Sequence, residues 1–383
     1  MRKHVHVLIG WHNPRIIQGF CRYAHEANWH LDTLSLMAGL IPRNRRGHGV
    51  LMTNPHTPET KRLILDLIAS KIPCVLHGLN ELGIDIPTSA TDEEMIGQLA
   101  AEHLLEHGHK NFGVLMSGNS EHARSRFAGF SRTIKAKGYN VHVLHFRSSR
   151  LDSLVAWLMT ELATLPRPLG LFAIDDILAA EAIEAAHENG WRVPEDLAVV
   201  GVGNIPAACQ YSRLPISSVA MPTEEQAYQA ARMLDDLMHR RRLPCRHHVL
   251  PPTEVITRAS SDYLAVTHAK VRKAVDYIKL HALHRELPLP VIAEISGASL
   301  SNLYNLFRKE LNATPAEIIL RFRLEAVHHL VLSTEQKIGA IAEACGFASL
   351  RTLQRCYYNK YGMYPTQTRS NQSPAVLAEK YRL

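Results

Sequence analysis

Short apolar segments alternate with helical patterns along residues 1–262, and this alternation constrains the fold more than any other feature of the sequence. Strand candidates are Val5–Ile9, Gly49–Thr53, Pro73–Leu76, Phe112–Met116, Val141–His145, Gly170–Ile174 and Leu197–Val202. Amphipathic stretches long enough for helices lie between them. Strands that alternate with helices are typical of βαβ units, whose strands form a parallel sheet. The pattern predicts an α/β domain, built either as one large sheet or as two doubly wound lobes.

The character of the sequence changes after residue 262, where strand signals disappear and short helical segments follow. Residues 263–383 contain 16 Lys+Arg and 9 Asp+Glu, and this excess accounts for the whole formal charge of +7. Residues 1–262 are charge-balanced. A neutral body joined to a basic module indicates that the module binds a polyanion. We therefore predict two domains, 1–262 and 263–383, of which the second is all α-helical.

The basic module contains an internal repeat. The segment VIAEISGASLSNLYNLFRKELNATPAE (291–317) aligns with AIAEACGFASLRTLQRCYYNKYGMYPTQ (340–367) after one inserted residue. Each copy has the pattern of a short helix, a turn with glycine and a longer helix, which is the helix-turn-helix plan. We expect the two units at about residues 290–311 and 338–362.

The longer helix of each copy has an apolar stripe and an opposite polar stripe. A major groove accepts one α-helix, and there Arg reads guanine while Asn or Gln reads adenine. We predict as base-reading residues Ser301, Tyr304, Asn305, Arg351, Gln354 and Arg355. Phosphate contacts set affinity and register, and the candidates are Arg308, Lys309, Arg321, Arg323 and Lys360. A polar stripe on one helix is more often a solvated face, but two aligned copies in the basic segment favour DNA binding.

The second copy also resembles a known family. The pattern IAEACGF-x-S-x-x-x-L-x-R, followed by an aromatic residue, a basic residue and YG-x-x-P, is similar to the AraC-type DNA-binding module. The segment RFRLEAVHHLVLS resembles the linker helix of that family, and the resemblance covers about residues 268–370. It implies that two recognition helices enter successive major grooves on one face of the DNA. Because Ala298 replaces the aromatic residue that the second copy has at Phe347, we expect the second copy to contribute more specificity.

Residues 1–262 resemble the LacI-type and periplasmic sugar-binding fold. The motifs are TDEEMIGQLAAEHLLEHGHKNFGVL (91–115), SRFAGF (125–130), LFAIDDILAAEAIEAAHENGWRVPEDLAVVGVGN (171–204), ISSVAMP (216–222) and VLPPTEVITRASSDY (249–263). A sensor of this kind ahead of an AraC-type module is the architecture of bacterial xylose regulators. The resemblance implies a homodimeric regulator that binds double-stranded DNA and a monosaccharide such as xylose. The apolar start of the sequence is too short for a signal peptide or a membrane span, so we expect a cytoplasmic protein. It also implies activation of sugar-catabolic genes, with RNA polymerase as a candidate partner.

The resemblance also suggests which residues contact the effector, namely Asn13, Arg15, Arg126, Asp175 and Asn204. Asp176 is expected to cap the following helix instead. The sequence departs from the family twice, with Gly203 where an acid is usual and Met221 where a polar residue is usual. We expect Asp175, with Asn204, to replace the missing acid; the alternative is a diverged pocket that no longer binds a pentose.

Other classes of protein receive less support. A transport-linked sugar-binding protein would carry a signal peptide and no basic module, and the apolar start is too short for a signal peptide. No catalytic motif points to an enzyme. His103, His107 and His109 have a spacing compatible with a metal, but no further ligand is fixed, so we expect solvated histidines and neither metal nor cofactor. Cys345 and Cys356 are expected to be core thiols.

Overall fold

The structure is a computed structural model that describes residues 2–10, 13–32, 47–55, 57–147, 153–266 and 268–372. The chain divides into two compact units, Met1–Tyr263 and Leu264–Leu383. None of the described helices is long and apolar enough to span a bilayer.

The first unit alternates strands and helices. Its strands are β1 (Lys3–Leu8), β2 (Trp29–Asp32), β3 (Gly49–Met52), β4 (Cys74–His77), β5 (Thr88–Thr91), β6 (Asn111–Ser117), β7 (Val141–Phe146), β8 (Leu169–Ala173), β9 (Leu197–Val202), β10 (Ser217–Val219), β11 (His247–Leu250) and β12 (Val255–Ile256). Its helices are α1 (Pro14–Glu26), α2 (Pro58–Ala69), α3 (Glu93–Glu106), α4 (Glu121–Ala136), α5 (Leu154–Ala163), α6 (Asp176–Glu188), α7 (Pro206–Tyr211) and α8 (Thr223–Met238).

The strands form two six-stranded sheets, so the alternative with two doubly wound lobes is correct. The sheet of the first lobe has the order β11–β5–β4–β3–β1–β2, with all neighbours parallel. The sheet of the second lobe has the order β12–β10–β9–β8–β6–β7, in which only the β10–β12 pair is antiparallel. The chain passes between the lobes after β5, after β10 and after β11.

Burial follows the rule for parallel sheets. Every residue of β8 and β9 is buried, which explains their uninterrupted apolar sequences. In the second lobe the rings of Phe130 and Phe172 stack, with centroids 5.1 Å apart. The first lobe has its own core, in which Phe20 and Leu51 are fully buried.

The second unit is helical throughout its described residues. Its helices are α9 (Ala269–His281), α10 (Leu289–Ser296), α11 (Leu300–Leu311), α12 (Pro315–Ser333), α13 (Ile338–Ala344), α14 (Leu350–Tyr361) and α15 (Pro365–Gln372). The long helix α12 begins with a capping box between Thr314 and Glu317. It contributes Ile318 to the core around α9–α11 and Val327 to the core around α13–α14, so it joins the two halves.

Candidate DNA-binding face and effector site

The two helix-turn-helix units have similar turns, with one more residue between the glycine and the serine cap in the second unit. Gly297 ends α10 and Gly346 follows α13, at φ values of 69° and 75°, in the left-handed region that favours glycine. A Cβ atom at Gly346 would also lie 2.7 Å from the carbonyl oxygen of Leu283. Ser299 and Ser349 then cap the longer helices by accepting backbone N–H groups. Each unit therefore has a left-handed glycine in its turn and a serine cap at the start of its longer helix.

The recognition helices α11 and α14 bury one stripe and expose the other. The buried residues are Leu303, Phe307, Leu353 and Tyr357. The predicted base-reading residues lie on the exposed side, where Ser301, Asn305, Arg351 and Arg355 are exposed and Tyr304 and Gln354 are half-buried. The apolar stripe predicted from the spacing also includes Leu300 and Leu350, but these first residues of the two helices are each 40% exposed.

The five predicted phosphate contacts differ in their surroundings. Arg308 and Lys309 are exposed near the end of α11. Arg321 and Lys360 both bind Glu325, at 2.9 Å and 3.4 Å, so their charges are partly neutralised. Arg323 donates to the carbonyl oxygens of Ala282 and His284, both at 2.7 Å.

Arg323 is less exposed than Arg308 and Lys309. Its half-buried guanidinium holds the end of α9 against α12, and burial lowers its pKa. Nε and Nη2 of Arg323 are thus paired with backbone carbonyls of the same unit, and its phosphate contact stays a prediction.

In the first unit, Arg126 lies in the interior of the second lobe and is 7% exposed. Its position depends on close packing of α3 and α4, since a Cβ atom at Gly129 would lie 1.9 Å from the carbonyl oxygen of Glu94. Arg126 Nε donates to Glu93 at 2.6 Å, Nη1 to the Ile174 carbonyl at 2.5 Å, and Nη2 lies 3.7 Å from Met221 Sδ. It thereby reaches the carboxyl end of β8.

Of the two aspartates after β8, Asp175 rather than Asp176 caps the next helix. Asp175 caps α6, with its Oδ1 accepting from Leu178 N at 2.7 Å. Asp176 is fully buried and accepts from Ser218 Oγ at 2.6 Å and from Ile205 N at 2.7 Å. The expectation that Asp176 caps the helix was therefore wrong. Burial raises the pKa of Asp176, although these two hydrogen bonds act in the opposite direction.

The structure gives a physical reason for Gly203 in place of the family's acid. Gly203 has a φ of 115°, which side chains rarely adopt. A Cβ atom there would lie 3.5 Å from Asp176 Oδ2. A carboxylate at this position would meet a second, buried carboxylate. Asn204 follows with a φ of 50°, and its Oδ1 accepts from Arg258 Nη2 at 2.6 Å.

The structure brings three of the five predicted effector residues together. Arg126, Asp175 and Asn204 all lie at the carboxyl edge of the second sheet, where ligands of doubly wound sheets bind. Asn13 caps α1 in the first lobe, accepting from the backbone N–H of Arg15 at 3.0 Å. Within the described residues, no hydrogen bond joins Asn13 or Arg15 to the other three.

Sequence reasoning missed two acidic residues near this edge. Glu93, in the first turn of α3, holds Arg126. Glu81 follows β4 in the first lobe and reaches the second lobe, where it accepts from Glu121 N at 2.9 Å and lies 3.4 Å from His122 Nδ1. Burial is the main reason that the pKa of His122 is lowered. The acidic first turn was visible in the sequence, but nothing local indicates a partner for Glu81.

The three neighbouring histidines are buried, so the expectation that they are solvated was wrong. His103 Nε2 lies 2.7 Å from Ser261 Oγ, and His107 Nδ1 lies 2.6 Å from the His103 carbonyl oxygen. Burial lowers the pKa of His109 to about 4. The described residues contain no group of His, Cys, Asp and Glu that could hold a metal ion. Cys345 is fully buried, as a core thiol should be.

The fold and the paired recognition helices define a DNA-binding transcription regulator with an α/β sensor. Two family models match the chain: a periplasmic binding protein-like domain over residues 101–261 and a helix-turn-helix domain over residues 292–371. The chain joins these two domains, and the helix-turn-helix domain is of the AraC type. The sequence-based interpretation of both regions is confirmed.

Relatives with both regions are known. The chain is homologous to the xylose operon regulatory protein of Escherichia coli K12, at 29% identity over 298 residues, which cover 75% of each chain. The protein of the same name from Haemophilus influenzae is 28% identical over 295 residues, covering 74% of this chain and 75% of that one. A solved structure of the xylose-binding transcription activator xylR is 25% identical with a TM-score of 0.59, covering 97% of this chain and 99% of that one.

The first unit has further structural neighbours. A cellobiose complex of the transcriptional regulator CelR matches 68% of this chain and 85% of that one, with 22% identity and a TM-score of 0.57. At this identity the likeness concerns the fold alone.

Proposed function

We propose that this protein senses a sugar, a pentose such as xylose, with residues 1–262 and binds paired DNA sites with residues 263–383. The observation that carries the proposal is the duplicated helix-turn-helix, whose two polar faces are exposed within the unit that holds the whole excess positive charge. The names of its relatives support xylose as the effector and activation of sugar-catabolic genes as the outcome.

On DNA, the second recognition helix supplies the stronger base-reading set. Arg351 and Arg355 are suited to guanine and Gln354 to adenine, since each can make two hydrogen bonds to one base. Ser301, Tyr304 and Asn305 read the neighbouring major groove. The exposed Arg308 and Lys309 bind phosphates. Arg321 and Lys360 also bind phosphates, but they must first break their ion pairs with Glu325.

In the sensor, the sugar binds at the carboxyl edge of the second sheet. Arg126 and Asn204 provide donors, and the carboxylate oxygen of Asp175 that does not cap α6 provides an acceptor. Asn13 and Arg15 contribute from the first lobe. Every buried sugar hydroxyl must be paired, so a set of donors and acceptors on both lobes favours the closed arrangement.

Closure of the lobes would then act on DNA binding through a homodimer. The effector shifts the population of dimers that can hold both DNA half-sites, and the regulator acts in the cytoplasm with RNA polymerase as a partner. Glu81 supports this mechanism, because it already joins the first lobe to the start of α4 in the second.

The test measures binding of the full chain to the DNA upstream of its own gene by fluorescence anisotropy, with and without D-xylose, L-arabinose, D-ribose and D-glucose. We expect salt-sensitive binding that one pentose changes about tenfold. A transport-linked sugar-binding protein would bind sugar without sequence-specific DNA binding. The proposal is wrong if no condition gives preference for the upstream sequence over a shuffled duplex.

A further inference from the structure

Arg258 joins the effector edge to the last residues of the first unit. It follows β12, five residues before Tyr263, where the first unit ends. Its Nη2 donates to Asn204 Oδ1 at 2.6 Å and its Nη1 to the carbonyl oxygen of Ile216 at 2.7 Å. One half-buried side chain thus holds both the loop after β9 and the segment before β10.

Arg258 also determines how Asn204 is oriented. A guanidinium can only donate, so the amide oxygen of Asn204 must face it and the Nδ2 group is left as the free end. The backbone of Asn204 is fixed as well, because its N–H donates to Ser218 Oγ at 2.9 Å. Asn204 can therefore offer an effector a hydrogen-bond donor, which suits an acceptor oxygen such as a sugar hydroxyl or ring oxygen.

The backbone of Arg258 belongs to a buried chain of hydroxyl groups. Arg258 N donates to Ser217 Oγ at 2.7 Å, and Ser217 Oγ donates back to the Arg258 carbonyl at 2.9 Å. Ser261 Oγ then donates to Ser217 Oγ at 2.7 Å and lies 2.7 Å from His103 Nε2. Ser217 and Ser261 are fully buried.

Each hydroxyl in this chain has one proton, so the donors and acceptors fit in one direction only. Ser217 Oγ donates its only proton to the Arg258 carbonyl, so Ser261 must donate to Ser217. The Ser261 hydroxyl can then only accept from His103, which must carry its proton on Nε2. A buried chain with a single arrangement transmits a change at one end, because losing one bond leaves another group unpaired at a cost.

We propose that Arg258 is a positioning residue that couples sugar binding at Asn204 to the segment Arg258–Ser261, which leads into the second unit. A sugar oxygen on Nδ2 polarises the amide and strengthens the Oδ1 bond to Arg258, since linked hydrogen bonds reinforce one another. The bound sugar thereby favours the state in which the end of the sensor is held. The inference rests on the proposed function and adds the residues through which it is regulated.

Four variants of the full chain test this coupling. Asn204→Asp keeps an acceptor for Arg258 but removes the donor for the sugar. Arg258→Lys keeps the charge but cannot hold Asn204 and Ile216 together. Ser261→Ala breaks the hydroxyl chain at its far end. Arg192→Lys is the matched control, an exposed arginine of the same lobe that binds Asp196.

Sugar affinity is measured by calorimetry with the same four sugars, and the coupling is the ratio of DNA affinities with and without saturating sugar. We expect Asn204→Asp to lower sugar affinity about tenfold. Ser261→Ala should retain wild-type sugar affinity while its coupling falls to within about twofold of unity. Arg258→Lys should lower both the sugar affinity and the coupling, whereas Arg192→Lys should change neither.

The outcomes separate this inference from the proposed function. Suppose that a sugar changes DNA binding by the wild type, and that Ser261→Ala and Arg258→Lys both keep the wild-type ratio of DNA affinities with and without sugar. The inference is then wrong and the proposed function stands. If Ser261→Ala loses sugar affinity together with thermal stability, the hydroxyl chain is merely structural and the inference is also wrong. If no sugar alters DNA binding by the wild type, the effector half of the proposed function fails and the inference falls with it.

Discussion

Glu93 and Arg126 form an ion pair in the interior of the second lobe, with Oε2 and Nε 2.6 Å apart and side chains that are 11% and 9% exposed. The next residue along the chain, Glu94, pairs with Arg132, and these side chains are 52% and 66% exposed. Two neighbouring glutamates of one helix turn therefore have an arginine partner each, one inside and one in water.

The contrast predicts different effects on stability. Glu93→Ala leaves a buried guanidinium without its counter-charge and should lower the free energy of unfolding by about 3 kcal/mol. Glu94→Ala removes a solvent-screened pair and should lower it by less than about 1 kcal/mol. Urea denaturation followed by tryptophan fluorescence measures both. Equal effects would contradict the assignment of Glu93 to the interior.

The close approach of α3 and α4 makes Gly129 irreplaceable. Its Cβ position is 1.9 Å from the backbone oxygen of Glu94, which cannot rotate away. We expect Gly129→Ala to force the helices apart and to destabilise the protein by about 3 kcal/mol. Gly339 in α13 has no atom near its Cβ position, so Gly339→Ala should be neutral or stabilise by up to about 1 kcal/mol. Thermal denaturation of both variants checks the pair, and a stable Gly129→Ala protein would rule out this packing.

The helix-turn-helix repeat could be predicted from the sequence because its signals are local. The apolar spacing, the glycine in the turn and the serine cap are all within one copy, and a second copy repeats them. The exposed and buried stripes followed from that spacing, apart from Leu300 and Leu350 at the helix starts.

Two of the strands that the sequence missed, β5 and β10, are polar but buried. Strand β5 reads Thr-Ser-Ala-Thr, and its Ser89 and Thr91 bond with Gln226, which is far along the chain. Strand β10 is similarly built on serines that bind Asp176 and Arg258. Hydropathy cannot identify such strands, because the partners that compensate their burial are contributed by distant segments.

The effector edge was only partly predictable for the same reason. Arg126 and Asn204 were identified through resemblance, but their partners Glu93 and Arg258 were not. Whether Asp175 or Asp176 caps α6 depends on which of the two adjacent carboxylates the backbone turns inward, and the sequence alone does not reveal this.

Burial of His109 predicts a sensitivity to acid. Its pKa is about 4 in the folded protein against an ordinary value of 6.5, so the unfolded chain binds the proton first. Stability that is fully present above pH 6.5 is therefore lost progressively as the pH falls towards 4. At pH 5 the free energy of unfolding is therefore lower by about 2 kcal/mol than at neutral pH.

The acid sensitivity can be assigned with one substitution. His109→Leu removes a ring whose two nitrogens have no hydrogen-bond partner among the described residues, so the variant should lose little stability at pH 7. Between pH 7 and 5 its free energy of unfolding should fall by about 2 kcal/mol less than that of the wild type. Urea denaturation at both pH values measures this difference. His142→Gln, at an exposed position of β7, is the control and should keep the acid sensitivity. An unchanged pH profile for His109→Leu would show that the loss has another source.

The two classes of DNA contact predict different signatures in one assay. Arg355 lies on the exposed stripe of the second recognition helix, and Arg308 lies near the end of the first. Arg355→Ala should weaken binding to the cognate site by about 1–3 kcal/mol and relax specificity at one base pair. Arg308→Ala should weaken binding to cognate and non-cognate DNA similarly and reduce the salt dependence of binding by about one counterion.

Anisotropy titrations at several salt concentrations, on the cognate site and on single-base variants, separate the two kinds of contact. If Arg355→Ala shows the signature expected for Arg308, the second helix contacts the backbone at that position rather than a base.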